Sequence, residues 1–221
     1  MTQNLSLGTS AITLTPADSD VTTNFTIPAS AIQTSGGVNW SSSVDSVHVF
    51  SNGDVWVQPT SVGNNSAIHT TGTPPSQSQY AGNYYNWYTA TAGTGITALT
   101  SGDAPSSICP KGWRLPTGGP NSDFTGLTGA LVGITTYSSD APNQSFALQS
   151  APSHFIIGGV YDGINGTVTT SRGENTAWWA STATHGNHER AYLMDLRVFV
   201  MNISNGNYYR YNGCLVRCVA H

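Results

Sequence analysis

Three cysteines, two closely spaced histidines and eleven scattered carboxylates are the residues of this 221-residue chain whose types permit covalent, metal or acid–base chemistry. The thiols are Cys109, Cys214 and Cys218. On an extended strand the four-residue step from Cys214 to Cys218 spans roughly 13 Å. A disulfide needs Cα atoms within about 7 Å, so Cys109 is left to pair with one or the other. His185 and His188 form an H-x-x-H beside Gly186, Asn187 and Glu189. A zinc site needs a third and usually a fourth ligand. None stands at a telling spacing, so a loop carrying two polar rings is expected there, and no metal. No two carboxylates are spaced for paired acid–base work, and no G-x-S-x-G elbow, P-loop or H-E-x-x-H occurs. Asp162 to Asn165 reads as turn chemistry. The expectation is a protein that binds and does not catalyse, without a cofactor.

Composition narrows the ligand. Seven Lys+Arg against eleven Asp+Glu leave a net charge of −4, and charged residues make up 8% of the chain, against about 25% in an average soluble domain. Ser, Thr and Asn, at 26, 28 and 17 residues, supply most of the polar surface. So few basic residues cannot form a phosphate-neutralising stripe, which excludes nucleic acid as the expected partner. No apolar run is long enough to span a bilayer, so membrane insertion is not expected. Six Trp, ten Tyr and six Phe can furnish a core. Met1-Thr2-Gln3-Asn4-Leu5 carries neither a basic region nor an apolar stretch of the secretory kind. The Lys-poor, hydroxyl-rich surface nevertheless suggests an extracellular or cell-surface protein whose targeting segment lies upstream.

The elements that must position these residues are mostly strands and loops. One domain over residues 1–221 is expected, with a strand- and loop-rich part at 1–80. Residues 11–32 and 44–57 alternate in the manner of strands, with Ser51-Asn52-Gly53-Asp54 as a hairpin turn. Residues 58–83 read as a loop. Ser122 can cap a helix whose first turn holds Asp123, with Phe124, Leu127, Leu131 and Val132 on one face. Phe155-Ile156-Ile157 is a buried strand candidate. In residues 191–200, Tyr192, Met194, Leu196, Val198 and Val200 share the core-facing parity, while Leu193, Asp195, Arg197 and Phe199 take the other. Asn205-Gly206-Asn207 reads as a turn, and a closing strand follows from Tyr208 to Val219.

The strings YNWYTA (85–90), SSICPKGWRLPT (106–117), AWWAST (177–182), AYLMDL (191–196) and YNGCLVRCV (211–219) occur in that order. Together they resemble the "major paralogous domain" family of Fibrobacter-type surface proteins, over residues 81–221. That family is similar to the formylglycine-generating-enzyme branch of the C-type lectin fold. The resemblance implies an α+β, loop-rich fold with short helices around a small twisted antiparallel sheet. It implies that Cys109 pairs with Cys218, which leaves Cys214 as either a free thiol or the partner of a cysteine in upstream sequence. In Gly112-Trp113-Arg114-Leu115-Pro116, Trp113 is expected as a buried anchor and Arg114 as a fork donor to a carboxylate or to carbonyls. The related oxidases bind copper through two C-terminal cysteines, but the Cys214–Cys218 spacing is one residue shorter than theirs. Gln58-Pro59-Thr60 resembles the Gln-Pro-Asp of calcium-dependent sugar-binding lectins without the carboxylate that calcium needs.

The same fold branch supplies the variable proteins of diversity-generating retroelements, in which adenine-directed mutagenesis rewrites codons near the C-terminus. The resemblance therefore implies a ligand-binding variable region at 177–219, on a scaffold that contacts a protein or cell-surface ligand. The expected contacts are Trp178, His185, His188, Arg190, Leu193, Asp195, Arg197, Phe199, Tyr208, Tyr209 and Tyr211. Trp179 is assigned to the core. Aromatic and Arg side chains gathered on one face are the composition of a binding hot spot.

Overall fold

The computed structural model describes residues 4–5, 85–92, 102–150, 152–153, 155, 157–162, 167–168, 174–184, 190–210 and 212–221. Within them the order is α1 (Trp87–Ala90), β1 (Gly102–Asp103), β2 (Trp113–Arg114), α2 (Asp123–Val132), α3 (Pro142–Gln149), β3 (Tyr161–Asp162), β4 (Thr167–Val168), β5 (Asn175–Ala183), β6 (Arg190–Arg197), β7 (Met201–Tyr209) and β8 (Val219–Ala220). The main sheet runs β1-β5-β6-β7 with every pair antiparallel. β2 pairs with β8, and β3 with β4. This is a mixed α+β, loop-rich arrangement. The expected strands at 11–32 and 44–57, the loop at 58–83, His185, His188 and Tyr211 lie outside the described residues.

Alternation along β5 and β6 builds two cores, because both faces of the sheet are covered. Ala177, Trp179, Ala191 and Leu193 pack with Tyr85, Trp87, Cys109, Val216 and Cys218. Trp178, Ala180, Met194 and Leu196 pack on the opposite side with Phe124 of α2, Leu148 of α3, Phe155 and Leu215. Buried indole N–H groups need acceptors. Trp87 donates to the Ala180 carbonyl at 2.8 Å, Trp179 to that of Tyr85 at 2.7 Å, and Trp178 to Asn4 Oδ1 at 2.9 Å. Leu5 N donates to the Val216 carbonyl, so the described N-terminal residues are tied to the C-terminal segment.

Cys109 and Cys218 form a disulfide across a separation of 109 residues. It joins the segment leading into β2 to the one leading into β8. Arg217, beside it, is buried with its guanidinium 4.0 Å from the Phe155 ring, and it donates to Asn4 Oδ1 and to the Ser153 carbonyl.

The expected helix is α2. Ser122 Oγ accepts from Thr125 N, and Gly133 closes the helix in the left-handed region at φ 75°. Phe124 is buried, while Leu127 and Val132 are half-buried and Leu131 is exposed. Phe155 and Ile157 are buried but lie outside any strand.

Four further expectations need correction. The strand expected over 191–200 ends at Arg197, and the closing strand expected from Tyr208 to Val219 is not one strand, since β7 ends at Tyr209 and β8 is Val219–Ala220. Trp113 is half-buried, and Leu115 and Pro116 are the buried residues of its motif. Asn205-Gly206-Asn207 does not turn the chain: β7 runs through it, and the reversal lies at Val198–Val200, where Arg197 N donates to the Val200 carbonyl. Gly206 is there for contact. A Cβ at that position would stand 2.7 Å from Tyr192 Cε1.

Candidate functional site

The expected contact residues that the structure describes divide between two ends of the β6–β7 pair and the core between them. At one end Arg190 opposes Tyr209 in the register. Its guanidinium lies 4.2 Å from the Tyr209 ring centre and donates to the Tyr209 hydroxyl at 2.9 Å and to the Asn207 carbonyl at 2.9 Å. The Arg190 carbonyl accepts from Arg210 Nε at 2.9 Å, and the buried Arg210 guanidinium stacks 4.2 Å from the Trp87 ring. Arg190 and Tyr209 thus form a fixed polar–aromatic plate, its backing anchored in the core.

At the other end Arg197 grips Asp195, with Nη2 to Oδ2 at 2.8 Å and Nε to Oδ2 at 3.1 Å. The Asp195 side chain is buried, whereas that of Arg197 is 53% exposed. The carboxylate beside it raises the Arg197 pKa further above its ordinary value, first through hydrogen bonding and then through charge, and the field of Tyr137 also reaches it. Phe199, 62% exposed, stands at the reversal that follows. The segment after α2 is fastened alongside: Ser138 and Met201 exchange two backbone hydrogen bonds of 2.9 Å, and Ala141 N donates to the Phe199 carbonyl at 2.9 Å. This brings Tyr137, 59% exposed, to the same end. Arg197, Phe199 and Tyr137 form an exposed cluster of one cation and two rings.

Three expected contacts do not face outward. Trp178 and Leu193 are fully buried, and Asp195 is buried as the partner of Arg197. The physical reason is that alternation assigns side chains to opposite faces but leaves open whether a face meets water. Here the Tyr85–Ala92 segment and residues 213–218 cover the Leu193 face, and Phe124 of α2, Leu148 of α3 and Phe155 cover Trp178 on the other. Tyr208 is half-buried and packs edge-on against Trp179, with ring centres 5.9 Å apart, which ties it to the core. Arg190 and Arg197 sit seven residues apart on one strand, about 23 Å, so the exposed residues make two corners and not one continuous patch. Tyr137 was not expected. It follows Gly133-Ile134-Thr135-Thr136, where no periodicity marks a lone Tyr, and only the pairing with β7 brings it to the site.

The cysteines offer no reactive pair. Cys218 is oxidised in the bridge. Cys214 is fully buried, and burial followed by the charge of Asp195 pushes its thiol well above the usual range. A thiol held neutral in apolar surroundings is neither a nucleophile nor a ready metal ligand.

Arg114 is the fork donor expected of its motif. It reaches both carboxylate oxygens of Asp123, Nη2 to Oδ1 at 3.1 Å, and the Leu115 carbonyl at 3.1 Å. Asp123 also accepts from Thr117 N at 2.7 Å, which locks the β2 segment onto the start of α2. Its role is positioning. No helix among the described residues is long and apolar enough to cross a membrane. No family model, curated protein or solved structure matches the chain.

Proposed function

We propose that the chain is a ligand-binding module of C-type lectin-like architecture, a variable protein of a diversity-generating retroelement, that contacts a protein or cell-surface ligand through the outward corners of β6 and β7. The observation that carries this reading is the cluster of Arg197, Phe199 and Tyr137. Two large rings and an Arg stand open to solvent on elements whose backbones are fixed by paired strands. Buried aromatic and Arg anchors dominate protein interfaces, each worth about 2 kcal/mol or more when central. The Arg190–Tyr209 plate gives the second corner. The disulfide suits an extracellular or cell-surface location, where oxidising conditions preserve such bonds. The order of sequence motifs supplies the retroelement part of the reading.

A second reading is an undiversified surface or adhesin module of the same family. The burial of Trp178, Leu193, Asp195 and Cys214 favours it, since packing alone accounts for those residues.

The test is the double variant Phe199→Ser/Arg197→Lys, which keeps a cation beside Asp195 but removes the ring and the planar fork. A cell-surface partner captured by the wild-type chain should bind the variant at least tenfold more weakly, with an unchanged melting temperature. Equal binding by the two proteins removes this corner from the site.

A further inference from the structure

Beside the exposed cluster lies a groove of about 550 Å³ between the N-terminal half of α2, the segment 134–137 and β7. That is within the usual size of a small-molecule site. We propose that it binds a neutral saccharide, independently of the corner formed by Arg197 and Phe199.

The chemistry of the lining sets the ligand class. Among the described residues no charged side chain lines the groove, and its polar groups are hydroxyls and amides. Among the described residues, the side chains of Asn121, Thr135, Thr136, Asn202 and Ser204 make no hydrogen bond to protein. Each can both donate and accept, which suits a ligand that presents hydroxyls in several directions. An anion is not favoured, because the start of α2 is already served by the Asp123 carboxylate and the Ser122 cap. With no carboxylate in the lining, a bridging calcium has nothing to hold it. The exposed ring of Tyr137 forms one wall and gives a flat apolar surface for the C–H face of a sugar ring.

A second observation points to an occupant. Gly126 lies inside α2 and lines the groove, where a Cβ would meet no atom within 4 Å. Glycine in a helix costs about 1 kcal/mol relative to Ala, and no packing among the described residues requires it. Gly129, one turn on, has such a requirement, since its Cβ would stand 2.9 Å from Thr135 Cγ2. What Gly126 supplies is space on the floor of the groove, where a ligand can approach the helix backbone. The walls are preformed. Thr128 Oγ1 holds the Ile134 carbonyl at 2.6 Å, and the Ser138–Met201 pair fastens the other end of the segment.

The experiment titrates the whole chain with hexasaccharides of mannose, glucose, galactose and N-acetylglucosamine, and with a galacturonate hexamer as the acidic counterpart. At least one neutral oligomer should bind, and the acidic one should not. Gly126→Phe fills the groove from its floor without touching the fold. Its affinity should fall at least tenfold while its melting temperature holds. Tyr137→Ala should lower affinity about tenfold. Gly126→Ala should bind within about threefold of wild type and melt at a higher temperature. Phe199→Ser should bind the sugar as wild type does, which separates this site from the neighbouring corner. Failure of every neutral oligomer, preference for the acidic one, or indifference of the affinity to Gly126→Phe would each overturn the proposal.

Discussion

Removing the carboxylate of Asp123 should flatten the acid side of the stability profile. Asp123 takes hydrogen bonds from Arg114 and from Thr117, and these hold its pKa at about 2, against an ordinary 3.8, with the Arg114 bond as the largest cause. Because the folded value is the lower one, the stabilisation is complete above about pH 5 and is lost as pH falls through 3.8 toward 2. The drop corresponds to at most about 2.5 kcal/mol. The Asp123 side chain is 29% exposed and Arg114 is 32% exposed, so solvent screening leaves about 1 kcal/mol. In a chain of this size that is a shift of roughly 2–4 °C in melting temperature. Thermal melts followed by circular dichroism from pH 7 to pH 2 should show the wild type losing that much more than Asp123→Asn. The Asn variant should start lower at pH 7 and converge with the wild type in acid. Arg114→Met should flatten the profile in the same way. Parallel profiles for wild type and Asp123→Asn would mean that the Asp123 carboxylate contributes no such stabilisation.

Three further outcomes follow from the packing. Replacing Cys109 and Cys218 by Ser opens a loop spanning 109 residues, which should cost about 4 kcal/mol in urea unfolding; a change below about 1 kcal/mol would contradict the bridge's role. Gly206→Ala drives a methyl against the Tyr192 ring and should destabilise by about 1–3 kcal/mol, whereas a neutral result would mean that Gly206 has no contact role. A thiol reagent should find no reactive cysteine in the native protein, one in denaturant and three after reduction; labelling of Cys214 in the native state would contradict its burial.

The parts of the fold legible in the sequence are those decided locally. Ser122, Asp123 and the spacing of Phe124, Leu127 and Val132 announce α2, and its cap and first turn are built from those same residues. α3 gives no such notice. Its sequence PNQSFALQ has no apolar stripe, and only Pro142 at the first turn hints at a helix start. It is held from outside, by Ser145 Oγ donating to the Arg197 carbonyl at 2.7 Å.

Asn205-Gly206-Asn207 carries turn chemistry by composition, yet the ring of Tyr192, distant in sequence, determines why a glycine stands there. The candidate site divides in the same way. The exposure of Arg197 and Phe199 agrees with the alternation read from AYLMDLRVFV, whose Leu193 and Asp195 are nevertheless buried. Trp178 is also buried, on the opposite face, because Phe124 of α2, Leu148 of α3, Phe155 and Leu215 close over it and Asn4 takes its indole N–H. Tyr137 enters the site only through a backbone pairing that no local pattern encodes.

If the chain is a diversified binder as proposed, outward residues of β6 and β7 vary over a constant, buried scaffold. The most direct measurement is to sequence the DNA around the coding region, searching for a near-copy of its last ~120 nucleotides, a window set by the strand-rich segment, beside a reverse transcriptase gene. Such a copy is expected, with differences confined to template adenines and falling in the codons of exposed and half-buried residues such as Arg190, Arg197, Phe199 and Tyr209. Absence of the copy, or differences concentrated in the codons of buried Leu193, Met194, Leu196 and Leu215, would contradict it.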